Sequence, residues 1–267
     1  MNQLGISSSC YYPEPTEKAF EKVCATGVPV AEIFFNSTSE LKPAFVKALR
    51  ARADDAGVRV VSVHPFGSFA EGYWLFSSYE RRFYDGLEDQ KRFFEAMNLL
   101  GAQIYVLHGA KKDKTHFPTD DELYYERFAR LAECGRGFGV TVAQENIVYY
   151  RSEDVPFLKG LRDYLGGSFR TVFDIKQARR SGVAVDDFLR ELGGTVCHMH
   201  LSDYTAEKDC VPPGEGLFDF AALFEKMRAL DYRGDYVVEL YRHSYSDQTQ
   251  ILRGCQYLNR LPGGPGK

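Results

Sequence analysis

Val140-Thr141-Val142-Ala143-Gln144-Glu145, then Arg170-Thr171-Val172-Phe173-Asp174, then Thr195-Val196-Cys197-His198-Met199-His200-Leu201: these three runs decide the fold. Each is a short, β-branched apolar segment that ends on or beside an ionisable residue, and stretches of helical length separate them. Working outward, the same pattern recurs at residues 4–8, 30–35, 58–64, 103–108 and 236–241, which makes eight strand candidates in all.

Between the strand candidates the apolar spacing is helical. Residues 80–100 place Phe83, Leu87, Phe93, Phe94, Met97 and Leu100 on one face, and residues 120–138 do the same with Leu123, Phe128 and Leu131. Glycines stand where each helix should stop, at Gly57, Gly101, Gly137, Gly139, Gly166, Gly167, Gly193, Gly194 and Gly234. Strands alternating with helices imply a parallel sheet with right-handed crossovers. Eight such units in 267 residues predict an α/β protein with a single (β/α)8 TIM barrel domain spanning 1–267. The rival is an open doubly wound sheet, but no Gly-x-Gly-x-x-Gly follows the first strand.

Composition narrows the function classes. The chain has 33 Lys plus Arg against 37 Asp plus Glu, a net charge of −4, so a nucleic-acid partner is disfavoured. With 44% hydrophobic and 26% charged residues it reads as globular, without an apolar run long enough for a membrane span. Its N-terminus lacks a basic region followed by an apolar run, so a cytoplasmic location is expected. The six cysteines show no Cys-x-x-Cys spacing and are expected to be reduced.

The chemistry gathers at strand ends. His64, His108, Glu145, Asp174, His200 and Glu239 close six consecutive candidates, and in a barrel all those ends meet on one face. In Val172-Phe173-Asp174 and Val237-Val238-Glu239 each acid shares a side with the valine two before it, so the acids are expected to point inward. Buried carboxylates are costly unless paired or coordinated, and three acids with up to three imidazoles suggest a divalent cation. His198 and His116 are weaker candidates.

The segments Ala143-Gln144-Glu145-Asn146, Val172-Phe173-Asp174, His198-Met199-His200-Leu201-Ser202-Asp203, Pro213-Gly214-Glu215-Gly216-Leu217-Phe218-Asp219-Phe220 and Val238-Glu239 resemble the xylose isomerase-like TIM barrel superfamily. Its members include sugar phosphate isomerases and epimerases, and it extends to the endonuclease IV type of nuclease. The resemblance implies a single divalent ion held by Glu145, Asp174, His200 and Glu239, with manganese ahead of magnesium, cobalt or zinc. It also implies that Glu145 and Glu239 are the catalytic acid and base of an isomerase or epimerase working through an enediolate on a small carbohydrate. The alternative is a metal-dependent hydrolase or lyase, such as a nuclease or a sugar dehydratase.

Departures from the family pattern are informative. The nuclease and the ketose epimerases place a His three residues after the strand-six Asp, where this chain has Gln177, and the epimerases place a Glu six after the strand-five ligand, where it has Arg151. Substrate binding is expected from His64, His108, Trp74, Gln177 and Arg151. A second ion on His64 and His108 is the other possibility for that pair. The aromatic loop 65–76, with Trp74, is a candidate lid. Lys111, Lys112 and Lys114 are candidates for meeting a phosphate or carboxylate. Asp203, three residues after His200, is the candidate acceptor that orients the metal-binding imidazole, and Asp219 is a helix cap. The sequence leaves a homo-oligomer open.

Overall fold

The computed structural model describes residues 2–112 and 119–266; Lys114 and His116 lie outside them. Eight strands form: β1 Leu4–Ser7, β2 Val30–Phe34, β3 Arg59–His64, β4 Ile104–Leu107, β5 Thr141–Glu145, β6 Thr171–Asp174, β7 Val196–Leu201 and β8 Tyr236–Val238. Each pairs in parallel with the next, and β8 returns to β1 through Leu4 opposite Tyr236. The sheet is therefore a closed barrel in sequence order, as the alternation predicts.

Two strand ends are shorter than the apolar runs. His108 and Glu239 fall one residue past β4 and β8, although the Glu239 amide still donates to the Leu201 carbonyl at 3.1 Å and keeps the ladder's direction. Helices Pro43–Ala56 and Glu80–Leu100 end at Gly57 and Gly101, both left-handed, where glycine carries no Cβ penalty. Helix Phe220–Ala229 is capped by Asp219, which accepts from the Ala222 amide at 3.0 Å.

The core has separate layers. A large cluster fills the space between the strands' outer faces and the helices, with Phe20, Phe94, Phe128, Phe173, Phe188 and Phe220 fully buried. Val106, Ala143 and Val172 form a distinct inner cluster, and Val30, Val61 and Val237 another. Val106, Ala143, Val172 and Val237 each precede a strand-end ionisable residue by two, so the period of a strand aims His108, Glu145, Asp174 and Glu239 into the barrel mouth above this apolar floor. No helix among the described residues is long and apolar enough to cross a membrane. All six cysteines are unpaired.

Candidate active site

One donor atom from each of Glu145, Asp174, His200 and Glu239 lies within 4.8 Å of the others, all buried. The set is organised around the ring of His200. Its Nδ1 lies 3.0 Å from Glu145 Oε1, 3.4 Å from Glu239 Oε2 and 3.6 Å from Asp174 Oδ2. Asp174 does double duty, since Oδ1 also caps the following helix, accepting from the Gln177 amide at 3.0 Å. Glu145 Oε2 is buried without a hydrogen bond, although His108 Nε2 approaches to 3.1 Å. Three carboxylates, one imidazole nitrogen and an orphaned buried oxygen are a donor set that fits an oxygen-preferring divalent cation.

Two residues that the sequence reading passed over complete the site. Glu32, in the middle of β2, is fully buried and accepts from Ser7 Oγ at 2.9 Å and Ser62 Oγ at 2.8 Å. Its Oε2 lies 3.0 Å from His200 Nε2 and 3.4 Å from His198 Nε2. Burial raises the Glu32 pKa, but His200 and His198 outweigh it and hold the carboxyl well below its usual range. Lys176, two residues after Asp174, is turned back by the first turn of helix Ile175–Ser181 and donates to Asp174 Oδ2 and Glu239 Oε2.

These neighbours set the charge of Glu145 and Glu239. Burial pushes Glu239 up, yet Lys176 and His200 bring it down to about 2. Glu145 is likewise held well below the usual carboxylate range, against burial, by His108 and His200. Burial opposes a charge on Lys176, but Asp174 and Glu239 overcome it and keep the amine protonated.

His64 and His108 meet at the mouth, their Nε2 atoms 2.8 Å apart. His64 Nδ1 lies 3.2 Å from the Pro65 carbonyl, an acceptor only, so Nδ1 carries the proton and Nε2 is left to accept. Burial and then His108 lower the His64 pKa, consistent with a neutral ring. Burial also lowers that of His108, but Glu145 more than compensates and raises it. The His108 backbone is fixed by Gln144, whose Nε2 donates to the Leu107 and His108 carbonyls at 3.0 and 2.9 Å.

A cavity of about 890 Å³ opens over the quartet. Of the four, Glu145 and Glu239 line it, together with His64, His108, Lys176 and Gln177. Its outer wall is aromatic, built from Tyr12, Phe34, Phe66, Phe69, Trp74 and Tyr241. Glu71 also faces it, buried, with Oε2 accepting from the Gly109 amide and Oε1 without a partner. Gly109 has φ 86° and a Cβ there would stand 1.9 Å from Tyr124 Oη, so this anchor for the aromatic loop requires glycine.

Other expected positions differ. Arg151 is turned away from the cavity: its guanidinium donates to the Thr119 and Asp120 carbonyls at 2.6 and 3.1 Å, pairs with Asp121, and lies 4.9 Å from the Phe157 ring centre. It fastens the chain at 119–121, a place a buried planar fork with several donors suits. Asp203 does not touch His200. It accepts from the backbone amides of Tyr204, Gly214, Gly216 and Phe218 at 2.8 to 3.1 Å, because the chain has left β7 by then and folds a loop around it. It is Glu32, not Asp203, whose carboxylate stands beside the His200 ring. Gln177 lines the cavity while its Oε1 accepts from the Val148 amide at 3.3 Å. Lys112 is paired with Glu153 and Asp154 at 2.6 and 2.7 Å, and Lys111 lies 6.0 Å from the Tyr150 ring centre.

A family model described as xylose isomerase-like TIM barrel matches residues 20–261. The chain is 22% identical to 3-dehydro-D-guloside 4-epimerase of Escherichia coli (strain K12), over 94% of this chain and 96% of that protein. A crystal structure of 3-keto-D-glucoside 4-epimerase from E. coli, in its apo form, superposes with a TM-score of 0.75 at 18% identity, covering 96% of this chain and 98% of that one. A D-psicose 3-epimerase crystallised in the presence of D-fructose gives a TM-score of 0.80 at 16% identity, covering 98% and 100%. With a family match over nearly the whole barrel, this chain belongs to the xylose isomerase-like TIM barrel family.

Proposed function

We propose that this protein is a divalent-metal-dependent epimerase or isomerase of a carbohydrate that carries a carbonyl beside an acidic C–H bond. One observation carries the reading: Glu145 and Glu239 belong both to the four-residue donor set and to the cavity wall, so each can hold an ion with one oxygen and reach substrate with the other. Glu145, Asp174, His200 and Glu239 would hold the ion, manganese before magnesium because one imidazole nitrogen stands among the carboxylate oxygens. When bound, it supplies positive charge beside the oxyanion that develops as the proton leaves.

The chain's own residues do the proton work. Glu145 and Glu239 are both held ionised, so either can accept the proton from carbon, and return of that proton from the other face or to the neighbouring carbon gives epimer or isomer. His108, whose pKa Glu145 raises, and His64, whose Nε2 meets His108 Nε2 at 2.8 Å, form a pair on the cavity wall that would orient hydroxyls of the substrate. The E. coli relatives that act on keto-glycosides, as their names state, support a carbonyl-bearing sugar as substrate. The test is solvent deuterium incorporation into a 3-keto-glucoside by the manganese-loaded protein. Exchange at the carbon beside the carbonyl is expected, and its loss in Glu145→Gln and Glu239→Gln. Undiminished exchange in both variants overturns the assignment.

A further inference from the structure

The described part of the molecule holds one buried lysine, Lys176, which is 3% exposed and placed against two of the four candidate ligands. Burying an amine this deeply is costly unless anions surround it. Here Asp174 Oδ2 and Glu239 Oε2 both accept from Nζ, so the amine draws together the two acids that come from β6 and from beyond β8. Those same oxygens are the ones His200 Nδ1 faces at 3.6 and 3.4 Å. Among the described residues no other lysine or arginine pairs with the quartet, and Glu145 has none.

The side chain is also free to leave in one direction. Lys176 lines the cavity, and its Nζ lies 5.5 Å from the ring centre of Tyr241, itself part of the cavity wall. A lysine stem has four rotatable bonds, so the ammonium can trade the acids for the cavity without a movement of the helix that carries it.

We infer that Lys176 and the divalent ion are alternative cations of one site: the ammonium bridges Asp174 and Glu239 when the ion is absent, and ion binding expels it into the cavity, where it faces a negatively polarised oxygen of the substrate. The ammonium then has two consequences. It keeps three buried carboxylates from repelling one another before loading, and it lowers the affinity for the ion by competing for two of its ligands. After loading it is a specificity-determining cation that favours substrates bearing a carbonyl or carboxylate oxygen near the cavity floor.

This rests on the metal reading of the quartet, and the experiment separates the two. Manganese binding is measured by titration calorimetry on the wild-type protein and on Lys176→Met, alongside covalent lysine labelling of the wild type with and without manganese, read by peptide mass spectrometry. Expected are a manganese affinity raised about tenfold or more in the variant, the scale on which groups beside metal ligands act, and labelling of Lys176 that appears only with manganese. Equal affinity in the two proteins with Lys176 unlabelled throughout overturns the inference while leaving the metal reading in place. Absence of binding in both overturns the inference and the metal reading together. Should Lys176→Met fail to fold, the labelling of the wild type decides alone.

Discussion

Glu32 Oε2 lies 3.0 Å from His200 Nε2, on the far side of the ring from Nδ1, which faces Glu145, Asp174 and Glu239. Both ring nitrogens face carboxylates: burial lowers the His200 pKa, but Glu32, Glu239, Asp174 and Glu145 outweigh it and hold it well above the usual value. A cation at the quartet would take the place of the Nδ1 proton, while Glu32 keeps the other proton on Nε2 and so orients the ring. Ser7 and Ser62 also donate to Glu32, so every proton around that carboxylate points at it. A glutamine there brings its own N–H groups into a nest of donors and cannot satisfy them all. Glu32→Gln should therefore weaken manganese binding about 10- to 100-fold in calorimetry, although Glu32 does not line the cavity. Unchanged affinity would show that His200 needs no such partner.

Asp203 gives the contrasting case. It is buried and accepts from four backbone amides of the loop 204–218, so its loss strands several donors at once. Asp203→Ala should destabilise the fold by about 3 kcal/mol, the scale for several bonds to a buried charge, seen as a lower Tm. Manganese affinity should change far less than in the Glu32 variant, because no bond runs from Asp203 to His200. A large affinity loss with Tm unchanged would restore the orienting role to Asp203.

The contrast shows which parts of the site can be read in a sequence. The eight strands were legible in the alternation of apolar runs with helical stretches, and the residues gathered at the barrel mouth because the last six runs each close on an acid or imidazole. Glu32 has an equally local signal, a lone charge within Val30-Ala31-Glu32-Ile33-Phe34, but it sits mid-strand where attention to strand ends misses it. Its meaning is also non-local, since β2 and β7 meet only across the barrel's interior. Lys176 and Arg151 show the other limit. Whether a long side chain turns toward Asp174 or toward the 119–121 backbone depends on one helical turn and on partners far along the chain, and spacing does not encode that.

The cavity's aromatic rim yields a prediction about substrate. Trp74 is 40% exposed and Phe69 77%, large apolar surfaces left facing water at the mouth. Covering them by a sugar's C–H face or by a group attached to the sugar is worth about 1–2 kcal/mol. The double variant Phe69→Ala with Trp74→Ala should raise KM about tenfold for a keto-glucoside while kcat and manganese affinity hold. A fall in kcat with KM unchanged would instead make the loop a device for excluding water during the reaction.

Glu71 provides a test by pH. Burial raises its pKa to about 7, against the lowering by His108 and by the backbone amides at 108 and 109. In the unfolded chain the same carboxyl loses its proton at an ordinary pH near 4.5. Between those two values the folded state holds a proton that the unfolded state has released, so stability falls as pH rises through the window and levels off above it. The loss is about 3 kcal/mol in total. Glu71→Gln has no charge to bury, and its amide oxygen can still accept from Gly109. The variant should thus melt higher than wild type at pH 8, by a margin that shrinks toward pH 5. Thermal melts of both proteins at those two pH values decide the matter: a margin that is constant, or larger at pH 5, would mean that Glu71 is ionised at no cost inside the folded barrel.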